Sequence, residues 1–244
     1  MSPRRPPRPP QRDPGEFGAA PPPTVRHVSP AERDVIVELA ASVATAPEDA
    51  ARVRSELEGF LAELLSWNRD SNLVAAGDLG RLASRHVLES LAVLPTLDRL
   101  APTRLIDVGS GAGFPAIPLA IARPAWQVHA VESRRRKGLF LQRVAERMER
   151  GNLVVSIDRA ERVTLPADAF ADVATARAVA VIGELLPVLA PLVRAGGHAV
   201  LFKGSSHEKE LIAWGRLDDR AWRHVETIAV PDRHLWFLVF ERLV

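Results

Sequence analysis

The sequence predicts an α/β fold in which a mostly parallel seven-stranded sheet ends in an antiparallel hairpin and follows a helical cap. Three observations predict it. Apolar residues before position 98 recur at helical spacing, so the chain opens with helices. From Thr103 onward, strand patterns alternate with helical patterns, as in parallel sheets covered on both faces. The last two strand candidates flank Pro231-Asp232 with no helical pattern between them and therefore form a hairpin.

The cap comprises residues 30–98 and contains three predicted helices. Ser29-Pro30-Ala31-Glu32 is a capping box with proline at the first helical position, so the first helix begins there. A second helix is predicted from about residue 48 to residue 67, because its apolar residues form one stripe. A third is predicted around residues 82–94 and ends before Pro95.

Residues 99–244 form the sheet domain, which packs with the cap as one globular unit. Its strand candidates are 104–108, 127–131, 152–157, 171–176, 197–202, 223–229 and 235–241. Its helices are predicted at 115–122, 134–150, 181–193 and 207–215.

The most informative motif lies at residues 103–118, where an apolar strand stops at three glycines in alternate positions. Gly109, Gly111 and Gly113 permit φ values that other residues avoid and let backbone N–H groups approach a ligand closely. A helix starts near Pro115, since the first helical N–H groups have no partner within the helix and proline is tolerated there. We therefore expect a nucleotide-like ligand at the carboxyl end of this central strand.

The spacing of this motif distinguishes two kinds of ligand. A dinucleotide-binding loop would place its third glycine at position 114, which is Phe114. Asp107, two residues before the first glycine, would repel a pyrophosphate but suits a cation such as the amino group of S-adenosylmethionine. Glu132 ends the next apolar run, where a carboxylate can accept hydrogen bonds from both ribose hydroxyls. The motif favours a class I, Rossmann-like methyltransferase, with a dehydrogenase as the minor alternative.

Two further strand ends carry candidate site residues. Asp158-Arg159-Ala160-Glu161 follows the third strand, where the loop lies beside the adenine in this architecture; an ordinary helix N-terminus is the alternative. Arg177 follows the fourth strand among small apolar residues, which is unusual for a solvated arginine and indicates the catalytic position. The alternative for Arg177 is a structural ion pair with the acids of the core.

A basic stretch opens the helix after the second strand. Arg134-Arg135-Arg136-Lys137 is interpreted either as a contact to RNA phosphates or as a solvated face. Lys203, at the end of the fifth strand, and Arg85, in the third predicted helix, would extend a phosphate-binding surface. His86 lies among apolar residues and is interpreted as a packing histidine rather than a catalyst.

Composition limits the class of protein. Residues 1–29 are predicted to form a disordered tail rich in proline and arginine, and their charge of +3 leaves the rest of the chain near −1. No segment has the apolar pattern of a signal peptide or a membrane span. Without cysteine, the chain has no disulfide, thiolate metal site or cysteine nucleophile. We expect a cytoplasmic monomer that binds neither a membrane nor a metal.

Missing motifs narrow the acceptor of the methyl group. Methylation of cytosine C5 needs a cysteine nucleophile, and the chain has none. Methylation of exocyclic amines commonly uses an Asn/Asp-Pro-Pro-aromatic loop after the fourth strand, where this chain has Thr175-Ala176-Arg177-Ala178. A ring nitrogen such as guanine N7 carries a lone pair and no proton, so it needs in-line placement and no general base.

The chain resembles the bacterial ribosomal RNA small-subunit methyltransferase G family, also called glucose-inhibited division protein B. The resemblance covers about residues 60–204. Its matching segments are Trp67-Asn68 to Asn72-Leu73, Arg85-His86 with Glu89-Ser90, the 107–120 motif, Glu132-Ser133 with Lys137, Phe140-Leu141, Arg159-Ala160-Glu161, residues 175–180 and Lys203-Gly204. The tail has no counterpart in it.

The resemblance implies methyl transfer from S-adenosylmethionine to N7 of a guanine in a decoding-region stem-loop of 16S rRNA, with the rRNA or the small ribosomal subunit as partner. The family's cofactor contacts correspond to Gly109, Phe114, Glu132, Ser133, Arg134, Ala160, Glu161 and Arg177. Ala116, Glu89, Glu132 and Val74 depart from the usual family residues. Three alternatives stay open: another RNA substrate, a small-molecule substrate, or a non-catalytic module that binds S-adenosylmethionine.

Overall fold

The computed structural model describes residues 27–46, 48–148, 151–166, 169–217 and 219–244. Nearly all of the predicted tail at 1–29 lies outside these ranges, and its prediction stays untested.

The helices and strands follow the predicted alternation. The helices are α1 (Pro30–Val43), α2 (Asp49–Ser71), α3 (Leu88–Leu91), α4 (Leu94–Leu100), α5 (Ala116–Ala122), α6 (Arg135–Met148), α7 (Ile182–Leu189) and α8 (His207–Trp214). The strands are β1 (Arg104–Val108), β2 (Gln127–Val131), β3 (Leu153–Ser156), β4 (Ala171–Arg177), β5 (Val193–Lys203), β6 (Trp222–Ala229) and β7 (Trp236–Arg242). Short 3-10 helices cover Ala76–Arg81, Ala160–Arg162 and Ala190–Leu192, and a π-helix covers Leu82–Val87.

The seven strands form one sheet in the order β3-β2-β1-β4-β5-β7-β6. The first five strands pair in parallel, whereas β7 runs antiparallel to both β5 and β6. The predicted fold class is therefore confirmed. Since the strand order reverses between β1 and β4, the crevice for a ligand lies outside the carboxyl ends of these two strands.

Two details of the cap differ from the prediction. The third predicted helix is not one α-helix: a π-helix leads into the single turn of α3. Pro95 does not follow the end of a helix but stands in the first turn of α4, where its missing N–H costs nothing.

The capping box at the start of α1 forms only in part. The Ser29 hydroxyl accepts a hydrogen bond from the Glu32 backbone N–H at 3.3 Å, as the motif predicts. The Glu32 carboxylate, however, does not turn back to Ser29. It is buried and accepts the backbone N–H groups of Ala83 at 2.6 Å and Ser84 at 3.2 Å. It thus binds otherwise unpaired N–H groups at the start of the π-helix, which local spacing does not predict.

The core packs on both faces of the sheet. On one face, buried residues of α1 and α2, such as Ile36 and Leu61, belong to the same hydrophobic cluster as Ile117 of α5. On the other face, Leu186 of α7 packs with Trp222 of β6. Within the described ranges, no helix combines the length and apolar character that crossing a membrane requires.

Candidate active site

The glycine motif forms the loop between β1 and α5, at the predicted crevice. The backbone N–H groups of Gly109 and Ser110 donate to the Val131 carbonyl of β2 at 2.8 and 3.1 Å. The N–H of Gly113 donates to the Ser110 carbonyl at 2.8 Å, and that of Gly111 donates to the Glu132 carboxylate at 2.9 Å. All three glycine N–H groups are therefore bound within the protein. The prediction that they face a ligand is corrected: those of Gly109 and Gly111 tie the loop to the end of β2 and to Glu132, and that of Gly113 closes a turn within the loop.

The loop needs glycine because of close packing as well as backbone conformation. Gly113 has φ of 94°, and a Cβ there would lie 2.3 Å from Cδ1 of Ile117. Gly109 has φ of 75°, and its Cβ would lie 2.6 Å from Cγ2 of Val179. Side chains at these two positions would force the side chains of Ile117 and Val179 respectively to move.

Asp107 is fully buried near the end of β1, directly before this loop. Its Oδ1 accepts a hydrogen bond from the Thr175 hydroxyl of β4 at 2.7 Å. Its Oδ2 has no hydrogen-bond partner among the described residues. Burial raises the pKa of this carboxyl to about 6, although hydrogen bonds from Ser110, Thr175 and the Ala116 backbone, and the Arg177 charge, oppose the rise. Leaving a buried carboxylate oxygen unpaired is costly, so a cationic donor that reaches it would be bound favourably.

Glu132 lies at the end of β2 and is also buried. One carboxylate oxygen accepts the Gly111 N–H at 2.9 Å, and the other accepts the Arg134 N–H at 2.7 Å. These two bonds fix the orientation of the carboxylate. Because each carboxylate oxygen has two lone pairs, both can still accept a hydroxyl.

A cleft of about 270 Å³ opens beside the loop, at the ends of β1, β2 and β4. Its apolar walls include Val108, Val131 and Val179. Among the predicted cofactor contacts, Gly109, Ser133, Ala160 and Glu161 line it. The segment with Ala160 and Glu161 makes only one 3-10 turn, so the alternative of an ordinary helix N-terminus does not describe it.

Phe114 lies away from this cleft. Its ring is buried between the cap and the glycine loop, 5.3 Å from the ring of Phe60 and 5.1 Å from that of His86 between centroids. The structure thus gives the Phe114 side chain a packing role between cap and sheet domain.

Arg177 ends β4, with its side chain only 15% exposed. Its Nη2 donates to the carboxylate of Glu89 in α3 and lies 3.3 Å from Nδ1 of His86. The predicted alternative was an ion pair with core acids, but the partner that the structure provides comes from the cap. Nη1 is buried and has no hydrogen-bond partner among the described residues.

Further cap residues surround this pair. Arg85 donates to Asp78 at 2.5 Å, and His86 Nε2 lies 3.6 Å from Asp78. Burial, aided by the charge of Arg177, lowers the pKa of His86 to about 4. At neutral pH the imidazole is uncharged, so Nδ1 can accept from Arg177 while the ring stacks on Phe114.

The predicted basic surface divides into two parts. The side chains of Arg134, Arg135 and Arg136 are exposed at the start of α6, and the Lys137 ammonium lies 3.8 Å from the position that a Cβ on Gly111 would take. Lys203 differs: it is 10% exposed and donates to the Ala180 carbonyl and to Glu210. Its charge is therefore already compensated within the protein.

Sequence reasoning did not assign roles to Glu89 and Asp78. Both come from the cap: Asp78 lies in the 3-10 helix before the π-helix and contacts Arg85, and Glu89 lies in α3 after it and contacts Arg177. Local periodicity contains no signal for the Arg177–Glu89 pair, since its two residues are 88 positions apart.

Known proteins with similar sequences identify the family of this chain. The family model described as rRNA small subunit methyltransferase G matches residues 53–225. Relatives named Ribosomal RNA small subunit methyltransferase G include one from Sorangium cellulosum, 41% identical over 186 residues, covering 74% of this chain and 77% of the relative. Another, from Polynucleobacter asymbioticus, is 33% identical over 189 residues, covering 74% of this chain and 85% of the relative.

Solved structures show the same fold. The mitomycin 7-O-methyltransferase aligns with a TM-score of 0.54 at 13% identity, covering 85% of this chain and 72% of that one. A cofactor-bound protein from MTB, Rv0187, aligns with a TM-score of 0.54 at 14% identity, covering 75% of this chain and 89% of that one. Identities this low support a conclusion about the fold alone. The family match and the relatives establish the family: the chain belongs to the rRNA small subunit methyltransferase G family.

Proposed function

We propose that this protein transfers a methyl group from S-adenosylmethionine to N7 of a guanine in a decoding-region stem-loop of 16S rRNA. The observation that carries the proposal is the unpaired, fully buried oxygen of Asp107 beside the glycine loop. A buried carboxylate there disfavours a pyrophosphate and favours a ligand that carries an amino group.

The residues of the site fit S-adenosylmethionine, which supplies an electrophilic methyl group on a sulfonium when it is bound. Asp107 Oδ2 would hold the amino group, and both oxygens of Glu132 would accept the ribose hydroxyls. The apolar cleft beside Ala160 and Glu161 would hold the adenine. Lys137, next to Gly111, is the candidate counter-charge for the carboxylate.

Arg177 is the residue proposed to hold the guanine. Guanine presents O6 and N7 as neighbouring acceptors, and the unpaired Nη1 of Arg177 is a donor that O6 can bind. N7 has a lone pair and no proton, so the transfer needs placement rather than a general base.

The pairing with Glu89 suits this reaction electrostatically. As the methyl group moves, positive charge leaves the sulfur and develops on the guanine ring. An unneutralised guanidinium beside the ring would oppose that change. The Arg177–Glu89 pair is net neutral, so it can donate a hydrogen bond without placing an excess positive charge at N7.

The exposed arginines at the start of α6 lie on the same side as the loop and Glu132. Arg135 and Arg136 are proposed to contact phosphates of the rRNA, with Arg85 as a further candidate although it is paired with Asp78. Lys203 is left out of this surface because its ammonium is bound by Ala180 and Glu210.

The proposal is tested by incubating the protein with methyl-labelled S-adenosylmethionine and small subunits from a strain that lacks the gene. Nucleoside analysis and primer mapping should identify one N7-methylguanine in 16S rRNA, and the Arg177→Ala variant should lose turnover. Label on another atom, or transfer to small molecules without ribosomal particles, would show that N7 of a 16S rRNA guanine is not the substrate. Binding of the cofactor without any transfer would indicate the non-catalytic module.

Binding measurements test the cofactor separately. Calorimetry should show binding of S-adenosylmethionine or S-adenosylhomocysteine and none of NAD. Tight binding of NAD instead would contradict the prediction that the glycine spacing favours S-adenosylmethionine over a dinucleotide.

A further inference from the structure

The ammonium of Lys203 lies where the end of β5 meets the segment that follows β4. It donates to the backbone carbonyl of Ala180 at 2.6 Å and to Oε2 of Glu210 in α8 at 2.8 Å. The side chain is only 10% exposed. Lys203 therefore connects the segment after Arg177, which lines the cleft, to helix α8.

Glu210 makes a second connection to the same segment. Its carboxylate accepts from the Ser206 hydroxyl at 2.9 Å and from the backbone N–H of Ile182, the first residue of α7. Burial raises the pKa of Glu210, but the hydrogen bonds from Lys203 and Ser206 outweigh it and hold the pKa below its ordinary value. The ion pair thus binds the segment at Ala180 and again at the N-terminus of α7, where helical N–H groups need an acceptor.

The segment held by Lys203 and Glu210 contains an unfavourable backbone conformation. Ala178 has φ of 54°, in the left-handed region that alanine rarely adopts. Such a backbone persists only where its surroundings hold it. Val179, the next residue, packs over Gly109, and both Val179 and Ala180 line the cleft.

We propose that Lys203 is a positioning residue for the methyl transfer. With Glu210 it fixes the segment 178–182, which sets the cleft wall opposite Gly109 and the direction in which β4 presents Arg177. This replaces the prediction that Lys203 contacts RNA phosphate. The inference rests on the proposed cofactor site, which binding of S-adenosylhomocysteine to the wild-type protein tests separately.

The test compares Lys203→Met with Lys209→Met, a matched control at an exposed lysine of α8. Lys203→Met should lower kcat about tenfold or more, because misplacement of about 1 Å can cost about 100-fold. It should weaken S-adenosylhomocysteine binding severalfold while KM for small subunits stays unchanged. Lys203→Arg, which keeps a donor and a charge, should recover most of kcat. Lys209→Met should match the wild type.

Salt dependence separates positioning from phosphate contact. A lysine that binds phosphate contributes about one unit to the slope of log affinity against log salt concentration. We expect the same slope for Lys203→Met and for the wild type. A slope reduced by about one, with cofactor binding unchanged, would overturn the proposal.

A second variant tests the proposal if Lys203→Met does not fold. Glu210→Gln keeps the volume and an acceptor but removes the charge. It should therefore lower kcat and cofactor affinity as Lys203→Met does, but by a smaller factor. If Lys203→Met does not fold, wild-type kinetics in Glu210→Gln overturn the proposal, and a parallel loss of kcat and cofactor affinity supports it. Wild-type kinetics in a folded Lys203→Met also overturn it.

Discussion

The carboxylate of Glu89, in the cap helix α3, accepts a hydrogen bond from the guanidinium of Arg177 at the end of β4, 88 residues further along the chain. The two side chains are 14% and 15% exposed, so the cap neutralises a charge that the sheet domain buries at the candidate site. The cap is thereby part of the site's electrostatics as well as of its packing.

Breaking this pair should affect stability and activity differently. Glu89→Leu leaves a buried guanidinium without its counter-charge and should lower the free energy of unfolding by about 3 kcal/mol. Adding Arg177→Met removes that charge, so the double variant should recover most of the loss in urea unfolding. Methyl transfer should be abolished in the double variant, because no donor is left for guanine O6. An active double variant would show that Arg177 serves the fold alone.

Asp107→Asn should stabilise the fold while weakening the binding of S-adenosylmethionine. The folded-state pKa of Asp107, about 6, lies above its ordinary value of 3.8, so the folded protein holds a proton there more tightly than the unfolded chain does. That contribution to stability is complete below the unfolded-state pKa and is lost as pH rises through about 6. At pH 7.5 the neutral asparagine should therefore raise the free energy of unfolding by up to about 3 kcal/mol, and the difference should shrink towards pH 4.

The same variant tests the ligand of Asp107. An ionised carboxylate attracts the amino group of S-adenosylmethionine, so wild-type affinity should rise with pH through about 6 and then level off. Asp107→Asn should bind more weakly, with no such rise. Calorimetry at several pH values measures both curves, and parallel curves for the two proteins would remove Asp107 from the cofactor site.

Two glycines of the loop should differ in their tolerance of alanine. Gly113→Ala combines a φ of 94° with a Cβ only 2.3 Å from Cδ1 of Ile117, so that fully buried side chain must repack and we expect a loss of about 3 kcal/mol. Gly111→Ala has a φ of 59° but no neighbour closer than 3.7 Å, so its cost should be about 1 kcal/mol. Thermal unfolding of both variants measures the order, and equal losses would mean that crowding against α5 is relieved without cost.

The sheet and the position of the site were predictable because both depend on local patterns. Strand β1 and its loop follow from an apolar run that stops at alternate glycines, and Arg177 stands out because a cation follows an apolar strand. The hairpin of β6 and β7 follows from the absence of a helix between them.

The partners of the charged residues were not predictable, because they lie far apart in sequence. Glu32 binds an N–H group 51 residues away, and Arg177 binds a cap acid 88 residues away. In the sequence, Lys203 is like any other cation at a strand end, because only the structure shows that its ammonium is paired with Glu210. Periodicity reports which side of an element is buried, but it does not report which distant charge lies opposite.

The exposed arginines at the start of α6 offer a test of RNA binding that leaves the cofactor site intact. The double variant Arg135→Gln/Arg136→Gln removes two exposed charges, so affinity for small subunits should fall and the salt slope should decrease by about two. Binding of S-adenosylhomocysteine should be unchanged, since Glu132 bonds to the backbone of Arg134 rather than to these side chains. Filter binding across a range of salt concentrations measures the slope. An unchanged slope would identify this stretch as a solvated face and place the phosphate contacts elsewhere.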